Sequence, residues 1–121
     1  MSARILIIDD ADHLREVLKM TLEFSDYEVA VATNGREALE LTQTSRFDLI
    51  FCDIDMPVLN GYGFVEGYRA AHGDQTPIIM LTAEDQASIN KALALGANAA
   101  LVKPFEPFQL LDVVKEHVKE G

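Results

Sequence analysis

Five short apolar runs, each followed by a stretch of helical periodicity, leave this chain few folds to choose from. The runs are residues 4–8, 27–32, 47–53, 77–82 and 99–102. The first following stretch carries Leu14, Val17, Leu18 and Leu22 at helical spacing, with Asp12 as its expected N-cap. Asn34-Gly35 reads as a turn before Ala38, Leu39 and Leu41. A third helix runs from the Met56–Gly61 loop to about Ala71, and a fourth from about Asp85 to Leu95, stopped by Gly96. Pro107 suits the first turn of the last helix, whose stripe is Leu110, Leu111, Val114 and Val118. The third and fourth runs are almost wholly apolar, as expected for strands covered on both faces. Right-handed crossovers then predict an α/β fold, a doubly wound five-stranded parallel sheet with (βα)5 order, over residues 1–121 as one domain. At this length a single core buries roughly two thirds of the unfolded surface.

Three of these runs end in charge. The first ends in Asp9-Asp10, the third in Asp53, and the fifth in Lys103-Pro104; Thr82 closes the fourth. Strand ends along one edge of a parallel sheet are where α/β folds place their chemistry. A strand-ending Asp or a Lys-Pro pair is by itself an ordinary turn element. Their joint occurrence, in order, describes a phosphoryl-transfer site. Asp53 can attack a phosphoryl group to give an acyl phosphate. Asp9, Asp10 and Asp53 form a hard-oxygen set that suits Mg2+. Without a cation, two carboxylates ~4 Å apart repel by ~1 kcal/mol in water and ~4 kcal/mol at the effective dielectric of a protein surface. Such a cluster is expected to bind metal or hold a proton. Lys103 adds a point charge for phosphoryl oxygens, and Thr82 a hydroxyl. No general base for water is evident, so the modification is expected to persist, as a switch requires.

Composition narrows the functional classes. Hydrophobic residues make up 49% of the chain, which excludes a disordered class. The longest apolar runs fall far short of the ~20 residues of a membrane span, and no signal-peptide pattern is present. Twenty acids against ten bases give a net charge of −10, which argues against non-specific binding to nucleic acid or anionic membranes. The single cysteine, Cys52, lies in an apolar run; a buried packing role and a cytoplasmic location are expected.

On these residues the whole chain, from Ile5 to Val118, resembles the receiver domain of bacterial two-component response regulators, including its single-domain chemotaxis-type members. The matching signatures are Ile7-Ile8-Asp9-Asp10, Asp53-Ile54-Asp55-Met56-Pro57, Asn60-Gly61, Leu81-Thr82-Ala83, Gly96-Ala97 and Lys103-Pro104-Phe105. The resemblance implies a flavodoxin-like sheet and phosphorylation of Asp53 by a sensor histidine kinase or a histidine phosphotransfer protein. It implies that Asp9 and Asp10 hold Mg2+, Asp10 directly, with the backbone carbonyl of Asp55 as a further ligand. Lys103 is expected to bond the phosphoryl group, Thr82 to move toward it, and the Lys103–Pro104 bond to be cis. The change is expected to reach the face of the fourth helix, fifth strand and fifth helix. The protein is thus expected to be a phosphoacceptor switch rather than an enzyme.

Two positions depart from the family pattern. Ala100 stands where an aromatic or His is usual, so the signal is expected to travel through the backbone or the fourth helix. Asp55 and Glu84 occupy positions that in the family tune phosphoryl lifetime. His13, His72 and His117 are expected at the surface, Met56 and Met80 in packing, and Phe105 and Phe108 under the last helix. The function expected is a stand-alone receiver, with a receiver module of a longer regulator as the alternative. The sequence leaves the oligomeric state open, a monomer included. A haloacid-dehalogenase-type phosphohydrolase is suggested only by Asp53-Ile54-Asp55, and that motif belongs on the first strand of a larger fold. A binding-only pseudo-receiver conflicts with intact Asp10, Asp53, Thr82 and Lys103.

Overall fold

Alternation along each strand decides which helices its residues meet. A computed structural model describes residues 3–83 and 85–118. Strands β1 (Arg4–Ile8), β2 (Glu28–Ala32), β3 (Leu49–Asp53), β4 (Ile78–Thr82) and β5 (Ala99–Val102) form one parallel sheet in the order β2-β1-β3-β4-β5. Between and after them lie α1 (Asp12–Phe24), α2 (Gly35–Thr44), α3 (Gly61–His72), α4 (Gln86–Leu95) and α5 (Pro107–His117). Leu6, Ile8, Ile50, Cys52, Ile78 and Met80 pack with Ala38, Phe64, Val65 and Ala92 of α2, α3 and α4. The intervening residues Ile5, Ile7, Leu49, Phe51, Ile79 and Leu81 pack with Leu18, Leu22, Leu110 and Val114 of α1 and α5. This is the period of two expected of a sheet covered on both faces. Each fully buried large side chain contributes roughly 1.5–3 kcal/mol. An exposed pair such as Arg36–Glu40 contributes about 0–1 kcal/mol. The two apolar layers therefore set the stability.

Several local expectations change. β3 begins at Leu49, because Asp48 joins Arg4 through its own groups: its N–H donates to the Arg4 carbonyl at 2.7 Å and its Oδ2 accepts from the Arg4 N–H at 2.8 Å. Phe47 stays buried beside this pair, 5.2 Å beneath the Arg4 guanidinium. Asp12 is not an N-cap. Ala11 holds that position without a side-chain bond, and Asp12 is the first helical residue, paired with Arg15. Asn34 is no simple turn residue but the N-cap of α2, accepting from the Glu37 N–H at 2.9 Å. Asp85 caps α4 and Gly96 ends it at φ +125°, where a side chain would also strike Arg69.

Cys52, Met56 and Met80 are buried, as expected. Phe105 packs against the core, but Phe108 points outward and is 62% exposed, contrary to its expected place under α5. His13 is exposed. His72 is half-buried against Tyr68, and a ring nitrogen of half-buried His117 meets the Val113 carbonyl. Among the described residues, no helix is long and apolar enough to cross a membrane.

Candidate functional site

Strand register brings the charged strand ends together. Ile8 of β1 stands beside Cys52 of β3, so the next residues, Asp9 and Asp53, emerge side by side. Asp53 pairs with Leu81, and Thr82 with Val102. The Lys103 N–H then donates to the Thr82 carbonyl at 2.7 Å, fixing Lys103 just past β5. Residues 50 and 94 positions away from Lys103 thereby reach its side chain. The edge lies where the strand order reverses between β1 and β3, the usual ligand crevice of doubly wound sheets.

Asp9 is fully buried, Asp53 is 8% exposed, and Asp10 is exposed. One carboxylate oxygen from each lies within 4.8 Å of the others. That all-oxygen, three-carboxylate set fits a hard divalent cation such as Mg2+. The Lys103 ammonium sits 3.3 Å from Asp9 Oδ2 and 3.2 Å from Asp53 Oδ1. Of its three N–H donors, two are engaged by these carboxylates. Asp53 Oδ1 also accepts from the Ile54 N–H at 2.9 Å, which fixes the carboxylate's orientation. Asp53 Oδ2 has no hydrogen-bond partner among the described residues.

The electrostatics follow from burial. Desolvation, with Asp9 adding repulsion, raises the Asp53 carboxyl to about 6, despite the opposing pull of Lys103. Burial alone would lower Lys103, but Asp9 and Asp53 outweigh it and hold the ammonium above its usual value. Burial, then Asp53 and Asp9, push the Cys52 thiol well up, so a thiolate is disfavoured there.

Thr82 is buried beside this cluster, and its hydroxyl donates to the Ala83 carbonyl at 3.0 Å rather than to a carboxylate. The Lys103–Pro104 bond is cis. Asp55 is exposed and its carboxylate lies outside the three-acid cluster, so Asp53 and Asp55 do not form the paired acids of a dehalogenase-type site. Glu84 lies outside the described residues. Ala100 is half-buried against the α2–α4 layer.

Three features escaped the sequence. Gly61 begins α3 against the end of β3: its N–H donates to the Ile54 carbonyl at 2.8 Å, and a Cβ there would collide with the Asp53 carbonyl. The preceding loop turns tightly at Val58, φ +71°, where the Leu59 N–H reaches the Pro57 carbonyl at 2.8 Å. That is a three-residue turn centred on a β-branched residue, a strained arrangement. Arg15, half-buried, donates to the Asp9 carbonyl at 2.8 Å and to Asp12 Oδ1 at 2.6 Å. The Asp12/Arg15 spacing is legible as an i,i+3 pair, but the reach to Asp9 is not.

Comparison with known proteins agrees with this geometry. The profile of the response regulator receiver domain matches residues 5–115. The probable transcriptional regulator ycf27 of Cyanidium caldarium is 42% identical over 107 residues, 88% of this chain and 42% of that protein. The chain spans less than half the length of such curated relatives. Among solved structures, the chemotaxis response regulator CheY4 of Vibrio cholerae superposes with a TM-score of 0.91 at 39% identity, covering 98% of this chain and 100% of that one. The receiver domain of the sensor histidine kinase PA1611 of Pseudomonas aeruginosa superposes at 0.89 with 30% identity, covering 97% and 98%, and has a magnesium ion coordinated in its active-site cleft. By the extent of the profile match and the shared sheet, this chain belongs to the response regulator receiver domain family.

Proposed function

We propose that this chain is the phospho-accepting receiver of a two-component system or phosphorelay, modified on Asp53. The observation that carries the reading is the Lys103 ammonium lodged between Asp9 and Asp53 beside a third carboxylate. An oxygen of Asp53 attacks the phosphorus of a phosphohistidine donor, the P–N bond breaks, and an acyl phosphate remains on Asp53. Lys103 then exchanges its carboxylate contacts for the phosphoryl oxygens. Thr82 turns its hydroxyl from the Ala83 carbonyl to the same group, a swap of one hydrogen bond for another worth about 1 kcal/mol either way. Mg2+, held by Asp9, Asp10, Asp53 and the Asp55 carbonyl, would neutralise charge on the transferring group.

The donor is a sensor histidine kinase or a histidine phosphotransfer protein. A groove of about 410 Å3 lined by Leu14, Pro104 and Phe105 opens beside Lys103, and gives the donor apolar surface next to the acceptor. The chain acts as a stand-alone switch in the cytoplasm. The length of the whole reading frame tests this against a module of a longer regulator. With Ala100 in place of a ring, the output passes through the backbone or α4.

Intact mass after incubation with acetyl phosphate tests the central claim. One added phosphate is expected, dependent on Mg2+ and lost in Asp53→Asn. Modification that survives in Asp53→Asn would assign the acceptor elsewhere. Absence of modification together with absence of beryllofluoride binding would make the chain a binding-only pseudo-receiver.

A further inference from the structure

The loop from β1 to α1 carries two of the three clustered carboxylates, and its helix starts without a side-chain cap. Ala11 holds the N-cap position with φ −80° and ψ 105°, and offers no side-chain oxygen. A loop so placed needs another restraint if Asp9 and Asp10 are to hold one geometry. One guanidinium supplies it. Arg15 Nη1 donates to the Asp9 carbonyl at 2.8 Å, and Nη2 to Asp12 Oδ1 at 2.6 Å. The Arg15 N–H donates to the Ala11 carbonyl at 2.9 Å, and the Ala11 N–H to Asp9 Oδ1 at 2.9 Å. Residues 9, 11 and 12 are thus tied to one side chain or to each other. Asp10 lies between them, exposed, and its carboxylate has no hydrogen-bond partner among the described residues.

We propose that Arg15 is a positioning residue for divalent-cation binding: by clipping the Asp9 carbonyl to Asp12 it holds the β1–α1 loop so that the free Asp10 carboxylate converges with Asp9 and Asp53. This rests on the reading of the cluster as a Mg2+ site. Arginine suits the task because its planar fork spans two acceptors in fixed geometry, which a lysine ammonium does not reproduce. The side chain itself touches no cluster carboxylate in the hydrogen-bond pattern; it acts through the loop's backbone.

The sign of the effect separates positioning from simple charge. Arg15 is a cation near three acids, so a purely electrostatic role predicts that removing it tightens Mg2+ binding. Positioning predicts the reverse. Calorimetric titration with MgCl2 at constant ionic strength would compare the parent with Arg15→Met and Arg15→Lys, each checked by circular dichroism in EDTA. Arg15→Met keeps much of the apolar stem and is expected to weaken Mg2+ binding roughly tenfold, the lower end for residues that orient metal ligands. Arg15→Lys keeps the charge and is expected to lose most of the same affinity. Unchanged or tighter binding in folded Arg15→Met would overturn the proposal, as would full parental affinity in Arg15→Lys, which also carries the test if Arg15→Met does not fold. If the parent itself takes up no Mg2+, the metal reading fails first, and the proposal fails with it.

Discussion

The two edges of the sheet both bury polar groups and treat them oppositely. At the edge where the strands begin, Tyr68 donates to Thr76 at 2.8 Å, and Thr76 donates to the Phe47 carbonyl at 3.4 Å. These are neutral groups satisfying one another beside a cavity of about 490 Å3. At the edge where the strands end, Asp9, Asp10 and Asp53 face the single ammonium of Lys103. The first edge is balanced, so it serves packing. The second buries charge, and desolvation, with repulsion from Asp9 added, raises Asp53 to about 6. The same backbone geometry therefore gives one end with neutral buried groups and one with buried charge, and the distinction lies in that desolvated charge.

The strongest way to break this contrast is to remove the ammonium that contacts Asp9 and Asp53. Lys103→Ala is expected to stay folded and to slow phosphorylation from acetyl phosphate by roughly 100-fold, the scale for losing one preorganised electrostatic contact. Time-resolved intact mass would show it; parental rates would mean the ammonium has no part in the transfer.

A sharper test uses pH. The folded Asp53 carboxyl lies at about 6 against 3.8 in the reference state, so the folded protein binds the extra proton between these values. Stability from this group is therefore greatest below pH 4 and falls as pH rises through 6, by up to about 3 kcal/mol. Asp53→Asn removes the penalty. In EDTA the variant is expected to exceed the parent in urea resistance at pH 7.5, with the gap closing toward pH 4. A gap of equal size at both pH values would contradict the raised carboxyl.

The smallest effect belongs to the balanced edge. Tyr68→Phe deletes a neutral donor and leaves Thr76 with the Phe47 carbonyl, so a loss of about 1 kcal/mol is expected with Mg2+ affinity unchanged. Urea titration and calorimetry on the same variant would check both halves. A change in Mg2+ affinity would show that the two edges are coupled.

Much of this site was legible in advance because its parts are local. Asp53 closes an apolar run, Asp9-Asp10 closes another, and Lys103-Pro104 a third, so each could be assigned to a strand end without knowing its neighbours. What stayed hidden depends on distant residues. Asp12 carries the chemistry of an N-cap, but Arg15 draws it into the first turn. Phe108 shares its helix with Leu110, yet lies on the opposite face and is exposed. The bond from Arg15 to the Asp9 carbonyl has no sequence signature, since any carbonyl can accept it.

The sequence by itself determined five βα units and which residues end each strand, because apolar periodicity is imposed within a few residues of chain. Only the tertiary structure decided the strand order β2-β1-β3-β4-β5, the burial of Asp9 beside an exposed Asp10, and the raised Asp53 carboxyl. Those depend on desolvation and on contacts between segments far apart in the chain, and neither is written in any one stretch of it.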